Sequence, residues 1–72
     1  MSNVLGKWIA GARHAAGMTQ PEFGRRIGLG TSPAVQVTIS RWERGVRKPG
    51  AIALLNILAV LSKKPSDLPG KW

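Results

Sequence analysis

Val4, Leu5, Trp8, Ile9, Ala12, Ala15 and Ala16 recur at i, i+1, i+4, i+5, i+8, i+11 and i+12. That is one apolar stripe of an amphipathic helix over residues 2–16. Ser2 or Asn3 can cap it, and Gly17 can stop it. Gly6 and Gly11 inside it each cost roughly 0.5–1 kcal/mol against Ala. Tertiary packing must therefore hold this helix. A second start follows at Thr19, where Glu22 completes a capping box and Met18 and Phe23 form a hydrophobic staple. Pro21 falls in its first turn, where a missing N–H matters little. Phe23 and Ile27 point inward at i, i+4, and Gly28 and Gly30 end the helix.

Residues 29–33 read as a loop whose Ser32-Pro33 is an N-cap followed by the first helical residue. A third helix is predicted from about Pro33 to Arg44, with Val35, Ile39 and Trp42 inward at i, i+4, i+7. Gln36, Val37, Ser40, Arg41 and Arg44 are left outside, and Gly45 closes the helix. After the basic loop 46–50 comes a fourth helix, 51–61, apolar almost all round. Two prolines break the remainder into a tail or a single turn. The pattern predicts one all-α domain, a small bundle of four to five helices over residues 1–66, with 67–72 as a tail.

Composition narrows the function. The chain has 72 residues, so one domain at most, without room for a catalytic cleft beside a separate sensing domain. Eleven Lys/Arg against three Asp/Glu give a net charge of +8, which favours an anionic partner, nucleic acid ahead of an acidic membrane. Cysteine is absent and His14 stands alone, so neither a disulfide framework nor a metal cofactor is expected. His14 reads as an ordinary helix residue. No paired carboxylates and no Ser/His/Asp set suggest an enzyme. The apolar run 51–61 is far shorter than the ~20 residues of a membrane span, and no charged-apolar-small leader opens the chain. A soluble, cytoplasmic protein is expected. A membrane-active peptide would place basic residues opposite an apolar face, yet the most apolar helix holds no Lys or Arg.

Two helices joined by a Gly-containing turn, the second with a polar, basic outer face, follow the helix-turn-helix plan. The plan alone is weak, but the residues are specific. Residues 19–29 (TQPEFGRRIGL), then 37–45 (VTISRWERG), then Arg47-Lys48-Pro49 resemble the Xre/Cro/C1 family of bacterial and phage helix-turn-helix repressors. The resemblance covers residues 4–61. The family's small residue falls on Gly24, its turn glycine on Gly28 and its buried aliphatic on Ile39. It implies a lambda-repressor-like bundle that binds double-stranded DNA. One departure stands out: about five extra residues lie within 29–36, so the turn between the motif helices is extended, the recognition helix starts early, or both.

On that resemblance, Gln36, Val37, Thr38, Ser40 and Arg41 become candidate base contacts. Arg41 suits a guanine, Gln36 an adenine, and Val37 or the Thr38 methyl a thymine methyl. Gln20, at the start of the first motif helix, becomes a phosphate contact, with plain surface glutamine as the alternative. Arg44, Arg47 and Lys48 would neutralise phosphates; Arg25 and Arg26 either border the same surface or are solvated charges. Lys63, Lys64 and Lys71 contribute to the general field. Arg13 stands where the family carries a structural arginine, and implies a partly buried ion pair with Glu43. Trp8 and Trp42 are assigned to the core, and Trp72 is left open between docking and solvent.

The family pattern also assigns Ala51, Leu54, Ile57, Leu58 and Leu61 to the core. A second stripe remains, Ile52, Leu55, Ala59 and Val60. An exposed apolar stripe marks a partner surface. A second copy is the first expectation, with Ile52, Leu55 and Ala59 at a homodimer interface. The resulting reading is a homodimeric repressor of a palindromic operator, of a phage or mobile element. The alternative is an antitoxin or adaptor whose helix 51–61 binds a toxin or other protein.

Overall fold

The computed structural model describes residues 3–69. Four helices follow one another: α1 (Val4–Ala15), α2 (Gln20–Arg26), α3 (Pro33–Glu43) and α4 (Ala51–Val60), then a single 3-10 turn at Pro65–Asp67. The all-α helix-turn-helix bundle expected from the pattern is the fold found. Each helix supplies one fully buried side chain to a common centre: Ile9, Phe23, Ile39 and Ile57. Leu5, Met18, Ile27, Trp42, Leu54 and Leu61 close around them. Trp8 and Leu68 are partly buried and pack against the same cluster. Trp72 and Lys71 lie outside the described residues.

Local signals act at the helix starts. The Thr19 hydroxyl accepts from the Glu22 N–H at 3.2 Å, but only half of the expected box forms. The Glu22 carboxylate turns to Arg26, at 3.1 Å and one helical turn on. Ser32 caps α3 by accepting from the Ala34 N–H at 3.2 Å, with Pro33 as the first helical residue. The extra residues are thus divided between an extended turn, residues 27–32, and an early start to α3.

Asn3 and Ala51, at two helix starts, differ from what their positions suggest. Asn3 precedes α1 without capping it. Its amide instead donates to the Glu43 carbonyl at 3.0 Å, because the start of α1 lies against the end of α3. Ser2 lies outside the described residues. Ala51, assigned to the core, is exposed. It opens α4, and along this helix burial begins only at Ala53 and Leu54, although Pro49 just before it is buried.

The crossing of α1 over α3 also explains Gly6. A Cβ there would fall on the Trp42 carbonyl oxygen and lie 2.7 Å from that of Glu43. What reads as a propensity defect is the condition for close approach. Gly6→Ala is therefore expected to destabilise by on the order of 1–3 kcal/mol, the range for overpacking. Gly11, with open space around it, makes the control. Gly11→Ala is expected to stabilise by roughly 0.5–1 kcal/mol through helix propensity. Urea midpoints of the two variants decide, and a Gly6→Ala protein as stable as Gly11→Ala would refute the close contact.

Candidate nucleic-acid interface

Successive residues turn by about 100° around a helix. With Val35, Ile39 and Trp42 buried, the opposite face of α3 carries Val37, Ser40, Arg41 and then Arg44 at the C-cap. Gln36 and Thr38 flank it on either side. Gln36, Val37 and Arg41 are exposed, while Thr38 and Ser40 are half-buried. Thr38 is not a free donor: its hydroxyl donates to the Ala34 carbonyl at 3.1 Å. Its outward chemistry is therefore a methyl group and an acceptor oxygen. Arg44 turns its Nε toward the Ser40 carbonyl at 3.4 Å.

The chain after α3 folds back on it. Gly45 has φ +77°, in the left-handed region that favours glycine, and a Cβ there would displace the Asn3 side chain. The N–H groups of Val46 and Arg47 then both reach the Arg41 carbonyl, at 3.0 and 3.3 Å. This brings Arg47 beside the helix, and Thr38, Arg41, Trp42 and Arg47 line one shallow depression. Lys48 follows, also exposed. On the other flank, Arg25 of α2 borders a groove that it shares with Gln36.

Arg13 and Glu43 meet in the interior, their side chains only 7% and 9% exposed. Arg13 Nε donates to Glu43 Oε2 at 2.6 Å, and Nη2 donates to Oε1 at 3.1 Å. Arg13 Nη1 also donates to the Met18 carbonyl at 2.8 Å, so the guanidinium links α1, the start of α2 and α3. His14 Nε2 stands 3.1 Å from Arg13 Nη2. Gln20 joins the same carboxylate, its Nε2 donating to Glu43 Oε1 at 3.0 Å. Gln20 is thereby half-buried and oriented, with one N–H of its amide directed inward.

The acidic residues are all engaged away from the α3 face. Glu43 takes Arg13 and Gln20, Glu22 takes Arg26, and Asp67 accepts from the Lys64 N–H at 2.8 Å. No carboxylate lines either depression beside α3. Arg25, Arg41, Arg44, Arg47 and Lys48 therefore surround one helix with no acid among them.

On α4, Ile52 is 77% and Leu55 61% exposed, and Ala59 is exposed beside them. Val60, counted in this stripe from the sequence, instead packs partly buried against the core. Asn56, the one polar residue of this helix, donates to the Ile27 carbonyl at 3.4 Å. It ties α4 to the start of the extended turn. Asn3, Gly6 and Asn56 all position the candidate site, and none was singled out for this from the sequence. The one signal was Asn56 itself, a lone amide in an apolar run.

Among the described residues no cluster of His, Asp or Glu suits a metal, and no helix is long and apolar enough to cross a membrane. A family model described as helix-turn-helix matches residues 9–68. Neither the curated proteins nor the solved structures yield a match.

Proposed function

The chain belongs to the Cro/C1-type helix-turn-helix family, and from that premise we propose a homodimeric repressor that reads an inverted repeat in double-stranded DNA through α3. A DNA-binding regulator is what the family match supports directly; it is a family of DNA-binding domains and not of enzymes. The observation that carries the finer reading is the α3 face, exposed, ringed by cations and free of carboxylates. DNA presents one negative charge per ~1.7 Å, and a surface of this kind releases its counterions on binding.

Residue roles follow from chemistry and position. Arg41 can take a guanine by two hydrogen bonds and Gln36 an adenine. Val37 and the Thr38 methyl suit a thymine methyl, and Ser40 suits either type of partner. Arg44, Arg47, Lys48 and Arg25 serve phosphates. Gln20 keeps a second N–H after its bond to Glu43, and that hydrogen suits a phosphate oxygen. Ile52, Leu55 and Ala59 form the dimer seam. The protein works in the cytoplasm, where its DNA is. The same apolar stripe on α4 would serve an antitoxin's protein partner, and that is the second reading.

Selection of bound sites from random duplexes tests the proposal. It is expected to return an inverted repeat. Binding to it should weaken steeply with salt, log K falling by roughly 0.9 per phosphate neutralised per unit of log salt. Arg47→Ala or Lys48→Ala should flatten that slope by about one for each phosphate left without its cation, about two per dimer. No enriched sequence together with a flat slope would sink the reading.

Arg41→Ala separates base reading from charge. It is expected to cost on the order of 1–3 kcal/mol and to relax preference at one base position per half-site. Affinities across all single-base variants of the site give the answer. Uniformly weaker binding with an unchanged preference profile would make Arg41 a phosphate contact.

A further inference from the structure

The extended turn leaves a groove on the side of α3 that faces α2. Pro21 and Arg25, at i and i+4 on one face of α2, form one wall. Gly30, Thr31, Ser32 and Pro33 form the other. Buried Val35 and exposed Gln36 complete the lining, and the space measures about 320 Å³. Both ends of the turn are braced. Asn56 holds the Ile27 carbonyl, and Ser32 accepts the Val35 N–H on its carbonyl at 2.9 Å and the Ala34 N–H on its hydroxyl.

Its polar side chains are the Arg25 guanidinium, which only donates, and the Thr31 hydroxyl, the Ser32 hydroxyl and the Gln36 amide, each of which can turn a hydrogen toward an anion. No carboxylate lines the groove, and Arg25 makes no ion pair among the described residues, whereas neighbouring Arg26 takes Glu22. An anion is therefore the complementary occupant. The apolar part of the lining, Val35 and Pro21, suits a carbon-rich body attached to it. Gln36 belongs at once to the groove and to the α3 face, one turn before Ser40.

We propose that this groove seats the sugar–phosphate backbone of DNA, with Arg25 and Thr31 gripping one phosphate per half-site. The inference rests on the DNA-reading role of α3 and adds to it a second wall made by the extended turn. The phosphate is distinct from those served by Arg44, Arg47 and Lys48 on the opposite flank. The turn acts as a clamp that widens the footprint of a short recognition helix.

Neutral methylphosphonates, substituted one phosphate at a time in the selected site, test this as a double-mutant cycle. Arg25→Ala should weaken binding by at least about tenfold for each half-site, the low end of what a hydrogen bond to a charged group contributes. One methylphosphonate per half-site should weaken the wild type equally and the Arg25→Ala protein no further. A different phosphate should couple to Arg47→Ala. Thr31→Lys, at an exposed position, should tighten binding several-fold, and only when that first phosphate keeps its charge. Arg25 is exposed, so an unchanged helical circular dichroism spectrum is expected for its variant. Arg25→Ala binding like the wild type, or weakened alike at every phosphate, overturns the clamp. If Arg47→Ala is weakened at the same time, α3 still reads DNA. If neither variant is weakened, the DNA reading itself falls.

Discussion

Glu43→Ala is expected to lose about 3–5 kcal/mol of stability, the range for removing one partner of a buried ion pair. The side chain accepts from Arg13 Nε, Arg13 Nη2 and Gln20 Nε2 while only 9% exposed. Its loss strands the Arg13 guanidinium with the Met18 carbonyl and His14 as remaining partners. Water cannot readily replace the carboxylate, because Arg13 itself is only 6% exposed. A chain of 72 residues has roughly 4–11 kcal/mol of total stability at typical values per residue. The variant should therefore melt tens of degrees lower, at about 4–8 °C per kcal/mol for this size. Replacing both partners by apolar residues of similar volume, Arg13→Met with Glu43→Leu, should be much milder, since no charge is left buried. A melting curve for Glu43→Ala within a few degrees of the wild type would mean that the pair is solvated and ties nothing together.

The helices and their caps were legible because they depend on neighbours in sequence. A stripe at 3.6-residue spacing, Ser32 before Pro33 and Thr19 before Glu22 act over one or two turns, and the chain carries each as an ordered string. Gly6 and Asn3 were not legible in the same way. Their role depends on the backbone of Trp42 and Glu43, nearly forty residues away, arriving at the side of α1. From the sequence, Gly6 is only a weak helix former. Ala51 misled for the opposite reason. Its spacing fits the core stripe, but Ala51 is the first residue of the helix, and periodicity along a helix does not say whether a neighbouring element covers its first residue. For the candidate site, the outer face of α3 follows from which residues are inward. The groove does not, since Pro21, Arg25 and Thr31 come together only once the turn is folded. Gln20 shows a further limit: an amide has several hydrogen-bonding groups, and sequence does not say that one of them is directed to Glu43.

Leu55→Asp is expected to separate the dimer while leaving the fold intact. Ile52, Leu55 and Ala59 stand at i, i+3 and i+7, one stripe along α4, and the first two are 77% and 61% exposed. The small Ala59 lets two copies of α4 approach closely where they cross. In a two-fold arrangement the stripe of one copy packs on the same stripe of the other. Burying Ile52 and Leu55 of both copies would contribute roughly 4–8 kcal/mol, at 1.5–3 kcal/mol for each full side chain scaled by its present exposure. Association itself costs an estimated 4–15 kcal/mol. The gain offsets only the lower part of that cost, so the free dimer should be weak and the operator should complete it. On DNA the half-site centres lie about 10–10.5 base pairs apart. The second copy then binds at a local concentration near millimolar, and the paired site gains roughly 10²–10⁴-fold over one half-site. An aspartate at position 55 is well solvated in the monomer and unfavourable in the seam. Leu55→Asp should thus keep its helical spectrum, bind an isolated half-site like the wild type, and lose that 10²–10⁴-fold on the full site. Sedimentation of saturated complexes supplies the count. Two wild-type chains per full site are expected, and one chain per site, or a Leu55→Asp protein that simply unfolds, would remove the seam from α4.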